Sequence, residues 1–147
     1  MSIAHLQDET TGELVFTVVR SKTADKLFGN RLPKGAGIAG WVVEHCQPQV
    51  VSDVRRDNRF FPQVDETLGV PTRSMVSVPV CLDNGRVLGV IEILSKLSDR
   101  EFDQDDLNLM LIVAQLAATA MRRAERASEE VERQERRDAL IRSITPR

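Results

Sequence analysis

The chain has 147 residues, 41% hydrophobic and 29% charged, with a formal net charge of −2. That length suits one domain with a real core, and the near-neutral balance excludes the basic field that nucleic acid or an anionic membrane demands. No apolar run approaches the roughly 18 residues of a membrane span, "MSIAHLQDE" lacks the form of a signal peptide, and Cys46 and Cys81 sit in no CxxC pattern, so a reducing, cytoplasmic setting is expected.

The segments "SIAHLQ" and "LVFTVVR" are β-prone and flank the turn-rich "DETTGE", which predicts a hairpin. Residues 21–34 read as a loop with a short strand near Arg31 and Leu32. In "GAGIAGWVVEHCQP", Ile38, Trp41, Val42 and Cys46 fit one helical face, and Pro48 ends the helix. Gly35 and Gly37 suit a tight approach to that helix, and Gly40 suits close packing. Trp41 is expected in the core, and Cys46 as a small buried hydrophobe. "QVVSDV" reads as a short strand.

"DNRFFPQVDETLGVPTRS", residues 57–74, has no sustained period yet carries Phe60 and Phe61. Long irregular connections in compact domains are usually functional. A short helix is expected over 62–68, released by Gly69, with Phe60 anchoring the segment in the core. "SMVSVPVCL" and "RVLGVIEILSK" follow as strands joined by "DNG", a strong hairpin signal. On the second, Glu92 shares a face with Leu88, Val90 and Leu94. A buried carboxylate is costly unless paired, so Glu92 either lines a polar pocket, the favoured reading, or lies at an exposed edge.

From Asp103 to Ile144 there is no Gly or Pro, and Asp103 is a ready N-cap with acidic residues behind it. One helix of about 60 Å is predicted. Residues 107–121 are apolar nearly all round, so one face meets the sheet and another a second helix. Met110, Ala114, Ala117, Met121, Ala124, Ser128 and Val131 follow coiled-coil spacing, which predicts a parallel homodimer through residues 110–131, the alternative being a single solvated helix whose end frays. The seam fails at Glu135 and Asp138. Beyond Arg122 the helix is nearly all charged, with Glu129–Arg133 and Glu132–Arg136 as stabilising pairs. The order of elements defines an α+β domain with an antiparallel sheet.

The ordered set "GAGIAGWVVEHCQPQVVSDV", "DNRFFPQVDETLGVPTRSMVSVPV", "GRVLGVIEILSK" and "FDQDDLNLMLIVAQLAATA" resembles the GAF domain, a sensory module of signalling proteins. The resemblance covers roughly residues 2–124. It implies a central antiparallel sheet with helices on one face and a ligand pocket on the other. Residues 1–124 are then the sensor domain, and 125–147 a charged helical linker continuous with the long C-terminal helix. The family's N-terminal helix has no counterpart here, and an output domain is expected beyond the chain end.

The resemblance also nominates ligand contacts. Cyclic-nucleotide-binding members carry Ile–Ala at the Gly-rich helix start, matched by Ile38 and Ala39. They carry an aromatic, Asp and Thr in the loop, matched by Phe61, Asp65 and Thr72, and an acid on the late strand, matched by Glu92. A further Thr of such sites is Leu68 here. Of the dispersed Asn-Lys, Phe, Asp-Glu signature, this chain has Ser95, Lys96, Phe102, Asp106 and Leu107. Lys96 and Asp106 are paired across the last strand and the long helix in this reading, and Phe102 is a core plug. Arg73 binds a phosphate or carboxylate, or else clamps Asp53 or Asp65. Asp65 caps the loop helix or contacts ligand.

Other chemistries fit worse. His45 and Cys46 are adjacent on a helix, about 100° apart, and so are poorly placed as a nucleophile–base pair. Methionine-sulfoxide-reducing relatives use cysteines where this chain has Ala39 and a cysteine-free loop. Pigment attachment wants Cys–His where Cys81 is followed by Leu82. Haem wants an axial His, and neither His5 nor His45 is expected in the pocket. No catalytic residue, metal site or cofactor is implied. The expectation is a cytoplasmic sensory domain that binds a small molecule, with no nucleic-acid or membrane partner. A cyclic-nucleotide binder and a dimerisation module with a filled pocket are the alternatives.

Overall fold

The computed structural model describes residues 1–20, 26–68, 71–96 and 100–146, with Leu68 and Lys96 described by their backbone alone. Six strands form one antiparallel sheet: β1 Ser2–Gln7, β2 Leu14–Arg20, β3 Arg31–Leu32, β4 Gln49–Val51, β5 Thr72–Cys81 and β6 Val87–Lys96. Their spatial order is β3-β2-β1-β6-β5-β4. Among the described residues three α-helices accompany them: α1 Gly37–His45, α2 Gln63–Leu68 and α3 Gln104–Ile144, with a 3-10 turn at Val54–Arg56. The α+β class and all the strands expected from the sequence are present.

The first strand lies in the middle of the sheet. β1 pairs β2 on one side and β6 on the other, with Ile3 opposite Glu92 and His5 opposite Val90. The β1–β2 register slips between Ala4 and His5. At that point Gly89 of β6 comes so close that an added Cβ would lie 2.0 Å from the His5 carbonyl oxygen. Only glycine fits such a backbone approach. β5 tolerates Pro79 because its pairing with β4 stops at Ser77, so the missing N–H costs no bond on that side.

The sheet separates two cores, and β5 feeds both by strand alternation. Met75 faces one cluster with Ile3, Leu14, Phe16, Ile38, Ala39, Val42, Val90 and Leu94. Val76, Val78 and Val80 face the other, with Met110, Ala114 and Ala118 of α3. Leu88, expected beside Glu92, packs with the α3 cluster instead. Phe102 also packs there, as a core plug.

α3 starts with a capping box. Asp103 accepts from the Asp105 and Asp106 N–H groups while the Asp106 carboxylate accepts from the Asp103 N–H. Two orphan donors are thereby satisfied. Asp106 also takes a bidentate pair from Arg100 at 2.7 and 2.8 Å. The expected Lys96 pairing falls on a side chain outside the described residues, and the partner observed for Asp106 is Arg100. Farther along, Glu132 pairs with Arg136 as expected, but Arg133 pairs with Glu130 rather than Glu129.

The coiled-coil seam needs correction. Met110 and Ala114 are buried against the chain's own sheet, with Ala117 and Met121 packed beside them. Four of the seven seam positions are therefore already occupied. Among the apolar residues α3 leaves exposed, Leu109, Ile112, Val113 and Leu116 form a stripe about a third of a turn round the helix from the covered face. Past the last link to the sheet, an Arg86–Glu125 ion pair, every described side-chain contact of α3 is local to the helix.

Candidate functional site

On the face opposite α3, a cavity of about 40 Å³ lies between β1, β6, α1 and the 57–74 segment. Ile3, His5, Ile38, Ala39, Phe61 and Glu92 are among its lining residues. Glu92 is 5% exposed and holds two donors: His5 Nε2 at 2.9 Å and Ser77 Oγ at 3.0 Å. These come from β1 and β5, the two neighbours of β6, so the carboxylate is satisfied across three strands. His5 is 2% exposed and meets Phe16 edge-on at 4.4 Å. Its Nδ1 has no hydrogen-bond partner among the described residues. A buried polar atom left unpaired beside a cavity is a free recognition point, since burial without a bond costs about 1–3 kcal/mol.

The segment over the cavity is tied down at three places. Arg59 lies 4.6 Å above the Trp41 ring and pairs with Asp57 and Gln49. That hydrogen-bonded guanidinium holds the Asp57 carboxyl below its ordinary range. Phe60, Phe61 and Val64 pack onto the pocket-side core. Asp65 then accepts both the N–H and the hydroxyl of Thr72, each at 2.6 Å, which fastens α2 to the start of β5. Gly37, at φ +71°, starts α1 under this lid, where an added Cβ would press on Phe61 Cβ at 3.2 Å.

Five of the seven nominated residues line the cavity: Ile38, Ala39, Phe61, Asp65 and Glu92. Thr72 and Arg73 do not. The Thr72 hydroxyl is committed to Asp65, and Arg73 reaches Glu101 at 2.8 Å, not Asp53 or Asp65. Asp53 is instead held by Arg55, whose hydrogen bonds lower it to about 2. The short helix over the lid is present as Gln63–Leu68, while its release at Gly69 lies outside the described residues.

Three expectations are overturned. His5, expected outside the pocket, lines it and bonds Glu92. Trp41, expected in the core, is half-buried at its margin between Arg59 and a stacked His45 at 4.1 Å. Cys46, expected on a buried helical face, is exposed, because α1 ends at His45 and Cys46 turns into the left-handed region. The signal for His5 was present in the alternation of "SIAHLQ", where Ile3 and His5 share the inward face. Among the described residues, no group of three His, Cys, Asp or Glu is placed to hold a metal ion. No described helix is long and apolar enough to cross a membrane.

A sheet of this order, with a long helix on one face and a lidded cavity on the other, is the α+β fold of GAF domains. The family model described as "GAF domain" matches residues 1–122, and the chain belongs to that family. It is similar to the GAF-B domain of DevS from Mycobacterium smegmatis, at a TM-score of 0.70 and 16% identity, over 88% of this chain and 84% of that one. It is also similar to free methionine-R-sulfoxide reductase from Neisseria meningitidis, at a TM-score of 0.70 and 23% identity, over 86% and 70%. Both likenesses are of fold. In sequence it is similar to the dual 3',5'-cyclic-AMP and -GMP phosphodiesterase 11A of Takifugu rubripes, 29% identical over 96 residues, 65% of this chain and 11% of that protein. The chain spans about a tenth or less of the length of the phosphodiesterases it matches.

Proposed function

We propose that this chain is a non-catalytic sensory domain whose ligand is a compact polar molecule held between Glu92, His5 and the lid. The observation that carries this reading is a buried carboxylate–imidazole pair at the wall of a lidded cavity, with His5 Nδ1 unpaired among the described residues. Pockets for drug-sized ligands run to roughly 300–1,000 Å³. A cavity of about 40 Å³ therefore favours either a molecule of few atoms or a lid that moves on binding. Native mass spectrometry of the purified protein tests the reading directly. A co-purified small molecule that is lost in Glu92→Gln supports it; a ligand retained equally by that variant removes the pocket from the reading.

A cyclic nucleotide is the second reading. It is favoured by Ile38, Ala39, Phe61, Asp65 and Glu92 meeting at one cavity and by the similarity to cyclic-nucleotide phosphodiesterases. The lid would have to open to admit it. Calorimetric titration with cGMP and cAMP decides; absence of heat with both at high micromolar concentration retires it.

Occupancy is passed on through α3, the next element after β6, which carries Glu92. A homodimer in this reading uses Leu109, Ile112, Val113 and Leu116, the exposed apolar face, rather than the seam the sheet covers. Leu116→Glu is then expected to convert a dimer to a monomer by light scattering. Unchanged mass places the dimer elsewhere.

A further inference from the structure

We propose that Cys46 and Cys81 form a reversible intramolecular disulfide, a modification site that closes the stretch of chain carrying the pocket lid. The two sulfurs lie 2.6 Å apart, although 35 positions separate the residues in sequence. The register brings them together. β4 runs antiparallel to β5 with Gln49 opposite Ser77, so residues just before Gln49 run toward the end of β5, where Cys81 stands. There β5 also slips register against β6, between Val80 and Cys81. Cys46 caps α1 in the left-handed region, φ 48°, a place that favours Gly or Asn at a helix end. It is the non-glycine residue so held among the described residues.

The two sulfurs differ in access. Cys46 is exposed and Cys81 half-buried. Burial, with the neighbouring Cys46 thiol, pushes the Cys81 thiol up to about 12. Cys81 therefore stays protonated at neutral pH, and Cys46 is the sulfur that meets an oxidant. With a hydroperoxide, Cys46 gives up its proton and attacks a peroxide oxygen. The O–O bond breaks, leaving a sulfenic acid and one water. The Cys81 sulfur then attacks Cys46, the S–O bond breaks, and hydroxide leaves with the Cys81 proton as a second water. Two thiols and one hydrogen peroxide become one disulfide and two waters.

The loop so closed contains β4, the Val54–Arg56 turn, α2 and the Asp65–Thr72 staple. A cross-link of this span restricts the unfolded chain, and a rise in thermal midpoint of about 5–15 °C is expected. The test treats the full chain, fully reduced, with stoichiometric hydrogen peroxide. The expected product has lost two hydrogen masses, reacts with no maleimide, and yields a peptide joining Cys46 to Cys81. Its raised midpoint falls back on adding dithiothreitol, and Cys46→Ser and Cys81→Ser show no rise. Oxidation of Cys46 with Cys81 still maleimide-reactive, a disulfide between two copies, or retention of both thiols overturns the proposal.

Discussion

The Glu92–His5 pair lends itself to a double-mutant test. Both side chains are almost fully buried, and the carboxylate has two donors, His5 and Ser77. His5→Leu leaves a buried carboxylate oxygen without its partner. Leaving a buried hydrogen-bonding group without its partner costs about 1–3 kcal/mol, more where that group is charged. A water in the adjoining cavity offsets part of this, since about 10–15 Å³ admits one, so about 1–3 kcal/mol is expected. Glu92→Leu leaves the imidazole with neither nitrogen bonded and costs about 1–3 kcal/mol. The double variant leaves neither partner of the pair orphaned, only the Ser77 hydroxyl, and should cost about 2 kcal/mol or less, because apolar replacement of both hydrogen-bonded partners is often near neutral. Urea unfolding of the four proteins at neutral pH, read by the fluorescence of Trp41, the single tryptophan, gives the coupling. A double variant whose cost equals the sum of the single costs within about 0.5 kcal/mol refutes the reasoning.

Three further outcomes are expected. Asp65→Ala removes both bonds to Thr72 and should cost about 1.5–3 kcal/mol, with faster proteolysis inside residues 57–74; unchanged cleavage there shows that the staple does not hold the lid. Gly89→Ala drives a Cβ into the His5 carbonyl, which is backbone and cannot swing away, so a loss of about 2–4 kcal/mol is expected by denaturant unfolding; a neutral result means the β1–β6 approach is looser than described. The Arg100 hydrogen bond, with the Asp103 N–H, lowers Asp106 from 3.8 to about 2. Its stabilising contribution is therefore present above the unfolded value and lost as pH falls from about 5 toward 2. The melting-temperature gap between wild type and Asp106→Asn should close over that window, and a gap independent of pH contradicts the assignment.

Much of this was legible because it is local. Strand alternation gave β1, β2, β5 and β6, and the N-cap signature of Asp103 with its gap-free run gave α3. Glu92 declared itself because a carboxylate on an apolar strand face requires a partner. His5 did not, because its partner lies 87 positions away, and no local pattern states that β1 inserts between β2 and β6. Cys46 kept helical spacing with Ile38 and Val42, but the helix stopped one residue before it, which turned it out of the buried face. The seam on α3 failed for another reason. A helix apolar nearly all round has two plausible stripes, and periodicity cannot say which one the sheet takes. Arg73 and Thr72 matched a motif by residue type while their bonds went to Glu101 and Asp65.

The central place of β1 also bears on how the molecule is made. Its partner β6 follows about 90 residues later in the chain, with Ser2 opposite Ile93. At about 5–20 residues per second of synthesis, one edge of β1 waits roughly 5–20 s for its neighbour. During that interval β1 has only the β2 hairpin for support, and two strands alone are marginal in water. Contacts of such separation also slow folding from the denatured chain. The Glu92–His5 wall of the cavity is therefore among the last features to form, and changes at Gly89 or in β6 are expected to show first as poor yield of folded protein.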